Sequence, residues 1–86
     1  MKVEVYSKNN CQHCIKAKNL LNLRGIEFTT YMLQESPTQE IAEGDVPYTR
    51  EDFFELFPNA RSVPQIVIDG KAIGSYEQLV SFLDAS

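Results

Sequence analysis

Two cysteines stand in Cys11-Gln12-His13-Cys14, and the chain has no others. Such a pair can be a redox-active dithiol, part of a metal site, or two inert thiols. Residues three apart on a helix lie about 5–6 Å from one another. A disulfide requires roughly 4.4–6.8 Å between Cα atoms. The spacing therefore allows dithiol and disulfide to interconvert with little backbone motion. A metal site is harder to build. Zinc takes about four ligands, and Cys11, Cys14 and His13 are the chain's only Cys and His residues. A second subunit or an outside thiol would have to complete it. Inert thiols would leave the placement of the pair unexplained. His13 either tunes the pair or faces solvent, and nothing makes it a general base.

The flanking elements set that placement. Val3-Glu4-Val5-Tyr6 alternates apolar and polar residues, predicting a half-buried strand over about Lys2 to Tyr6. Ser7-Lys8-Asn9-Asn10 is polar and turn-prone. The following helix runs to about Arg24 and stops at Gly25, with Cys14, Ala17, Leu20 and Leu21 on one face. The pair thus opens a helix just past a strand end. Cys11 lies near unpaired N–H groups and the positive end of the helix dipole, which favour a thiolate. Lys8 adds positive charge. Such settings bring a cysteine pKa from about 8.5 to as low as ~3.5–7.5, and each unit is roughly 1.4 kcal/mol. Cys14 sits a turn deeper on the apolar face. Cys11 is accordingly assigned as nucleophile and Cys14 as resolving thiol.

A second strand is predicted over about Ile26 to Met32, with Ile26, Phe28, Thr30 and Met32 on one face and Glu27, Thr29 and Tyr31 on the other. Strand, helix and strand make a βαβ unit with a parallel pair. Ser36-Pro37-Thr38-Gln39 reads as a capping box opening a short helix that Gly44 ends. Thr49-Arg50-Glu51-Asp52 reads as another helix start, with Asp where Glu or Gln is usual. Phe53, Phe54, Leu56 and Phe57 follow and are read as packing on the sheet, before Pro58 ends the helix. Gln65 to Ile68 and Lys71 to Ile73 form a hairpin about Asp69-Gly70. Ser75, with Gln78 three residues on, starts a last helix striped by Leu79, Val80, Phe82 and Leu83.

Eighty-six residues bound the chain to one domain with a modest core. A formal charge of −4 and the lack of a Lys/Arg cluster argue against nucleic-acid binding. No apolar run reaches membrane-spanning length, and no secretory signal is visible. The expected compartment is the cytoplasm, where a close CxxC pair is more often catalytic or metal-binding than a structural staple.

Tyr6-Ser7-Lys8-Asn9-Asn10-Cys11-Gln12-His13-Cys14, Ser62-Val63-Pro64-Gln65 and Ile73-Gly74-Ser75-Tyr76 together resemble the glutaredoxins, of the thioredoxin-fold superfamily. The element order matches over nearly the whole chain, and the compact size looks most like small bacterial and bacteriophage members. The resemblance implies an α/β fold: a βαβ unit plus a ββα unit, giving a four-stranded mixed sheet flanked by helices. It implies a thiol–disulfide oxidoreductase with Cys11 and Cys14 catalytic and glutathione as reductant and co-substrate, with no metal. Pro64 would be the family's cis-proline, turning the backbone of Val63 toward Cys11 to pair with an extended substrate. Lys8 and Arg61 would meet a glutathione carboxylate. Glu77 and Gln78 at the last helix start would meet the γ-glutamyl end, and Gln12, His13, Ser62 and Gly74 would complete the substrate site. Partners would be disulfide-containing proteins, ribonucleotide reductase among them, met by a monomer that binds neither nucleic acid nor membrane.

Departures from the family pattern bear on this. The family's Cys-Pro-Tyr-Cys is Cys-Gln-His-Cys here, which removes a rigid residue and an aromatic wall. Its Gly-Gly is Gly74-Ser75. Its Asp at the last helix start falls on Gln78, which carries no charge for the glutathione amine, although Glu77 does. These changes touch glutathione affinity more than dithiol chemistry. They leave open a redoxin reduced by thioredoxin reductase instead. A dimer bridging an iron–sulfur cluster through Cys11 and glutathione is a third reading, and the second cysteine counts against it.

Overall fold

In the computed structural model, which describes residues 1–85, β1 (Val3–Ser7) is the central strand of a five-stranded sheet. It continues into α1 (Gln12–Leu23) and then β2 (Thr29–Leu33), which lies parallel beside it. β3 (Val46–Tyr48) adds in parallel to the outer side of β2. α2 (Arg50–Leu56) follows, and β4 (Gln65–Ile68) returns antiparallel to the other side of β1. β5 (Lys71–Gly74) closes a hairpin with β4, and α3 (Tyr76–Asp84) ends the fold. The strand order is β3-β2-β1-β4-β5.

The alternation in β1 decides what each face of the sheet meets. Val3 and Val5 point to one side, where Ile66 and Ile68 of β4 join Ala17 and Leu21 of α1 and Leu79 and Leu83 of α3. Tyr6 points to the other side and meets Leu33, Tyr48, Phe53 and Phe57. α1 and α3 thus cover an aliphatic face and α2 an aromatic one. The Asp69-Gly70 turn has positive φ at both residues, 51° and 84°, as a two-residue hairpin loop requires. Asp69 also ties back to the start of β1, accepting from the Lys2 N–H at 2.8 Å.

The sheet has one strand more than expected, β3, and the helix expected just before it is absent. No helix opens at Ser36. The Gln39 N–H instead closes a turn on the Ser36 carbonyl at 3.2 Å. The Gln39 side chain donates to the Leu33 carbonyl at 2.8 Å and accepts from the Glu35 N–H at 2.8 Å. Those bonds satisfy the loop locally, and Gln34 to Asp45 offers only Ile41 and Ala42 as apolar residues to bury on a helix. β3 is tolerated at the edge despite Pro47, because an edge strand can leave one side unpaired. β2 begins at Thr29 instead of Ile26, although Ile26 and Phe28 still pack on the aliphatic core. Of the four apolar residues of α2 and its C-cap read as packing on the sheet, Phe53 and the C-cap Phe57 do so. Phe54 and Leu56 are exposed.

The other helix starts follow the sequence closely. Thr49 and Asp52 form a reciprocal capping box: the Asp52 N–H donates to Thr49 Oγ1 and the Thr49 N–H to Asp52 Oδ2, both at 3.1 Å. Asp thus does the work of Glu there. At α3, the Gln78 Oε1 accepts from the Ser75 N–H at 2.9 Å and from the Ser75 hydroxyl at 2.8 Å. Among the described residues, no helix is long and apolar enough to cross a membrane.

Candidate active site

Cys11 is the N-cap of α1, with extended backbone (φ −118°, ψ 106°), and is half-buried. Asn10 before it has φ 58°, a left-handed conformation that Asn tolerates. This kink swings the chain from the strand end into the helix. One otherwise orphaned first-turn amide, the Cys14 N–H, points at Cys11 Sγ from 3.2 Å. In the dithiol form that amide faces the sulfur whose negative charge must be stabilised. Cys14 is 1% exposed and packs inward beside Ala17 and Leu21. Cys11 and Cys14 are joined by a disulfide, their Cα atoms 5.3 Å apart. The half-exposed sulfur is the one an outside disulfide can reach, and the buried one is behind it.

The Val63 carbonyl oxygen stands 3.7 Å from Cys11 Sγ, across 52 residues of sequence. The Val63–Pro64 peptide bond is cis, and Pro64 is fully buried at the mouth of β4. A cleft opens on each side of Val63. One, of about 120 Å³, is floored by Tyr48 and Phe53 and edged by Lys8, Arg50, Arg61 and Phe54. The other, of about 160 Å³, lies between Pro64 and the start of α3, with His13, Tyr76 and Glu77 on its walls. Ser62 borders both. A roomier cleft of about 750 Å³ lies at the opposite end of β1, beside Lys2 and Phe28, and includes none of the cysteine turn.

Two hydroxyls, one of them from the aromatic face, secure this site from below. The Tyr48 hydroxyl donates to the Ser7 carbonyl at 2.8 Å, and the Ser7 hydroxyl donates to the Tyr31 carbonyl at 3.1 Å. Ser7 is fully buried, so both bonds satisfy groups that water cannot reach. They pin the residue from which Lys8 and the cysteine turn depart. Burial pushes the Tyr48 phenol well above its ordinary value, so it stays a donor.

Most of the residues singled out from sequence gather here. Lys8, Arg61, Ser62 and Val63 line the first cleft. His13, Ser62, Val63, Pro64 and Glu77 line the second, where the His13 and Tyr76 rings are 6.3 Å apart. Gln12 is exposed on the first turn of α1 and lines neither. Gln78 is turned away from both, engaged with Ser75. Gly74 serves that arrangement: its φ is +119°, and a Cβ there would come within 2.7 Å of Gln78 Cγ. Arg50, Tyr48, Phe54 and Tyr76 were not anticipated. Phe54 was within reach, because Phe53 and Phe57 are a helical turn apart and leave Phe54 on another face. Arg50 had no local signal, since its partner Glu35 (3.0 Å) sits before the segment read as a short helix, which the structure forms as a loop. Among the described residues, no group of three or more His, Cys, Asp or Glu is placed to hold a metal ion.

A paired CxxC at a helix start, facing a cis-proline turn across a mixed sheet, defines a thioredoxin-like thiol–disulfide oxidoreductase. A family model for glutaredoxin matches residues 3–73. Glutaredoxin 3 of Escherichia coli is 36% identical over 83 residues, covering 96% of this chain and 86% of that one. A probable glutaredoxin of Synechocystis is 33% identical over 78 residues, or 91% of this chain, and the match spans 62% of that relative's length. Among solved structures, glutaredoxin 1 of Francisella tularensis, complexed with cacodylate, superposes with a TM-score of 0.72 at 25% identity, over 98% of this chain and 93% of that one. A buckwheat glutaredoxin–glutathione complex superposes at 0.67 and 22% identity, over 96% and 68%, which speaks to the fold alone. The chain belongs to the glutaredoxin family. Cys11 and Cys14 are its redox pair.

Proposed function

We propose that this protein is a glutathione-dependent reductase of protein disulfides and glutathione mixed disulfides. The observation that carries the reading is the approach of Val63 to Cys11. A half-buried sulfur lies 3.7 Å from a strand-end carbonyl, with a cleft on each side. An extended substrate pairing with the Val63 backbone brings its own sulfur to Cys11.

The chemistry is a two-electron exchange. The Cys11 thiolate attacks one substrate sulfur, forming a mixed disulfide and releasing the other as a thiolate. Cys14 loses its proton and attacks Cys11 Sγ, releasing the second substrate thiol and leaving the Cys11–Cys14 disulfide. Two glutathione thiolates then return the pair to the dithiol, leaving as glutathione disulfide. Lys8 and Arg61 meet the glycine-end carboxylate in the first cleft. Glu77, on the wall of the second, meets the γ-glutamyl ammonium. A buckwheat glutaredoxin of the same fold is solved as a glutathione complex, which supports glutathione as the co-substrate. Ribonucleotide reductase is a candidate protein substrate on family grounds only.

A second reading has one observation in its favour. Gln78 stands where the family has Asp, and its amide oxygen is already held by Ser75. A weakened γ-glutamyl site would suit reduction by thioredoxin reductase. The test is the electron source: oxidised protein is followed by NADPH consumption, with glutathione plus glutathione reductase or with thioredoxin reductase alone. Turnover with glutathione is expected. Turnover only with thioredoxin reductase would replace the first reading by the second.

A further inference from the structure

The first cleft is more than a glutathione carboxylate needs. Its edge carries Lys8, Arg50 and Arg61 and no acidic residue, in a chain of 12 Asp and Glu against 8 Lys and Arg. Its outer wall is Phe54, 57% exposed. Glutathione is γ-glutamyl-cysteinyl-glycine and has no large apolar side chain to cover that ring. Arg50 is only loosely engaged: its pair with Glu35 is solvent-exposed on both sides, 67% and 51%. Exposed pairs of this kind are held only weakly. An incoming carboxylate can therefore take Arg50 from Glu35 at little cost.

We infer that the Lys8–Arg50–Arg61–Phe54 cleft is a docking groove for protein substrates whose disulfide is flanked by an acidic residue and a large apolar side chain. The carboxylate engages Arg50, and the apolar side chain covers Phe54. Val63 holds the intervening backbone while the disulfide meets Cys11. Arg50 and Phe54 are then specificity-determining residues that touch the substrate's flank and not its sulfur. The inference rests on the dithiol reading above but not on the choice of reductant.

The test uses pre-reduced whole protein in single turnover, so neither glutathione nor a reductase enters. The probes are three synthetic peptides that share one Cys-x-x-Cys disulfide. One carries Glu and Phe on a single flank, the second Lys and Phe, the third Glu and Ser. The Glu/Phe peptide is expected to react about tenfold faster than the Lys/Phe peptide and about threefold faster than the Glu/Ser peptide. The Glu-over-Lys advantage should shrink as salt rises from about 0.02 M to about 0.5 M, because exposed charges are screened. R50Q should cut that advantage to about threefold, and F54S should abolish the preference for Phe over Ser. Both side chains are exposed, so neither change threatens folding, and far-UV circular dichroism checks it. Equal rates on all three peptides would overturn the inference and leave the dithiol reading standing. No reduction of any peptide would overturn both. Preferences that survive both R50Q and F54S would place the recognition elsewhere and overturn the groove.

Discussion

The two faces of the sheet are made of different chemistry and serve different halves of the site. The face under α1 and α3 is aliphatic: Val3, Val5, Ala17, Leu21, Ile66, Ile68, Leu79 and Leu83. It holds the helix that presents the cysteines, and its stability comes from dry packing. The face under α2 is aromatic and carries hydroxyls. Tyr6 stacks on Tyr31 at 4.4 Å and meets Tyr48 and Phe57 edge-on at 5.3 and 5.1 Å. It holds the floor of the cationic cleft and the strand end before Lys8. One face thus positions the cysteine pair and the other the cationic cleft. Each can be broken separately.

The largest effect is expected where the two halves meet. Cys11→Ser should abolish reduction of protein disulfides and of glutathione mixed disulfides alike, because it removes the attacking sulfur. Cys14→Ser should abolish dithiol turnover but spare at least part of the deglutathionylation, which a single thiol completes with glutathione. Equal loss of both activities in Cys14→Ser would mean that the buried sulfur is not merely the resolving one.

Next in size is the aliphatic face itself. Leu21 is fully buried between α1 and the sheet. Leu21→Ala should cost about 2–5 kcal/mol in urea unfolding, a large share of what a chain this small has. The remaining folded protein should still reduce disulfides once stability is corrected for, since no cleft residue moves. A cost below about 1 kcal/mol would show that this face is not the main store of stability.

The aromatic face should instead be marked by alkaline sensitivity. The Tyr31 hydroxyl donates to Glu4 Oε2 at 2.9 Å. That hydrogen bond, with burial, pushes the Tyr31 phenol up to about 12 from 10.0. Tyr6 is shifted in the same direction, by burial first. Between these limits the folded state holds a proton that the unfolded state has released, so stability falls as pH rises. The contribution is complete below about pH 10 and lost as pH climbs through about 12. Tyr31→Phe should be the less stable protein at pH 8, and the gap should close by pH 12. A gap that stays constant across that window would remove the tyrosine network from the account.

The split between the faces also explains what the sequence made legible. Period-two alternation in Val3 to Tyr6 and helical spacing from Cys14 to Leu21 are strong local signals, and both belong to the aliphatic face. The cysteine turn, the hairpin at Asp69-Gly70 and the cap at Ser75 are equally local. β3 was not legible. Val46-Pro47-Tyr48 carries a proline that argues against a strand, and its pairing with β2 is made across a twelve-residue connection. The cationic cleft suffered for the same reason. Lys8 and Arg61 lie beside motifs, whereas Arg50 and Tyr48 reach the site only through that connection. The Ser75–Gln78 cap was legible, and Gln78, read also as a glutathione contact, has its amide oxygen engaged there.

The smallest effect tests whether the aliphatic face needs help from its rim. Arg24, the C-cap of α1, reaches Asp84 at the end of α3 through Nη2–Oδ1 at 3.1 Å, and its Nη1 donates to the Leu83 carbonyl at 3.5 Å. A cation at two helix C-termini is favourably placed. The pair is nonetheless 44% and 66% exposed, where screening leaves about 0–1 kcal/mol. Arg24→Ala should therefore lower stability by about 0.5 kcal/mol, and less in high salt. Ala17, Leu21, Leu79 and Leu83 already hold α1 and α3 to the same core without it. A loss above about 2 kcal/mol would contradict that ordering: the polar rim, and not the dry packing, would then be what keeps the cysteine helix in register with the start of α3.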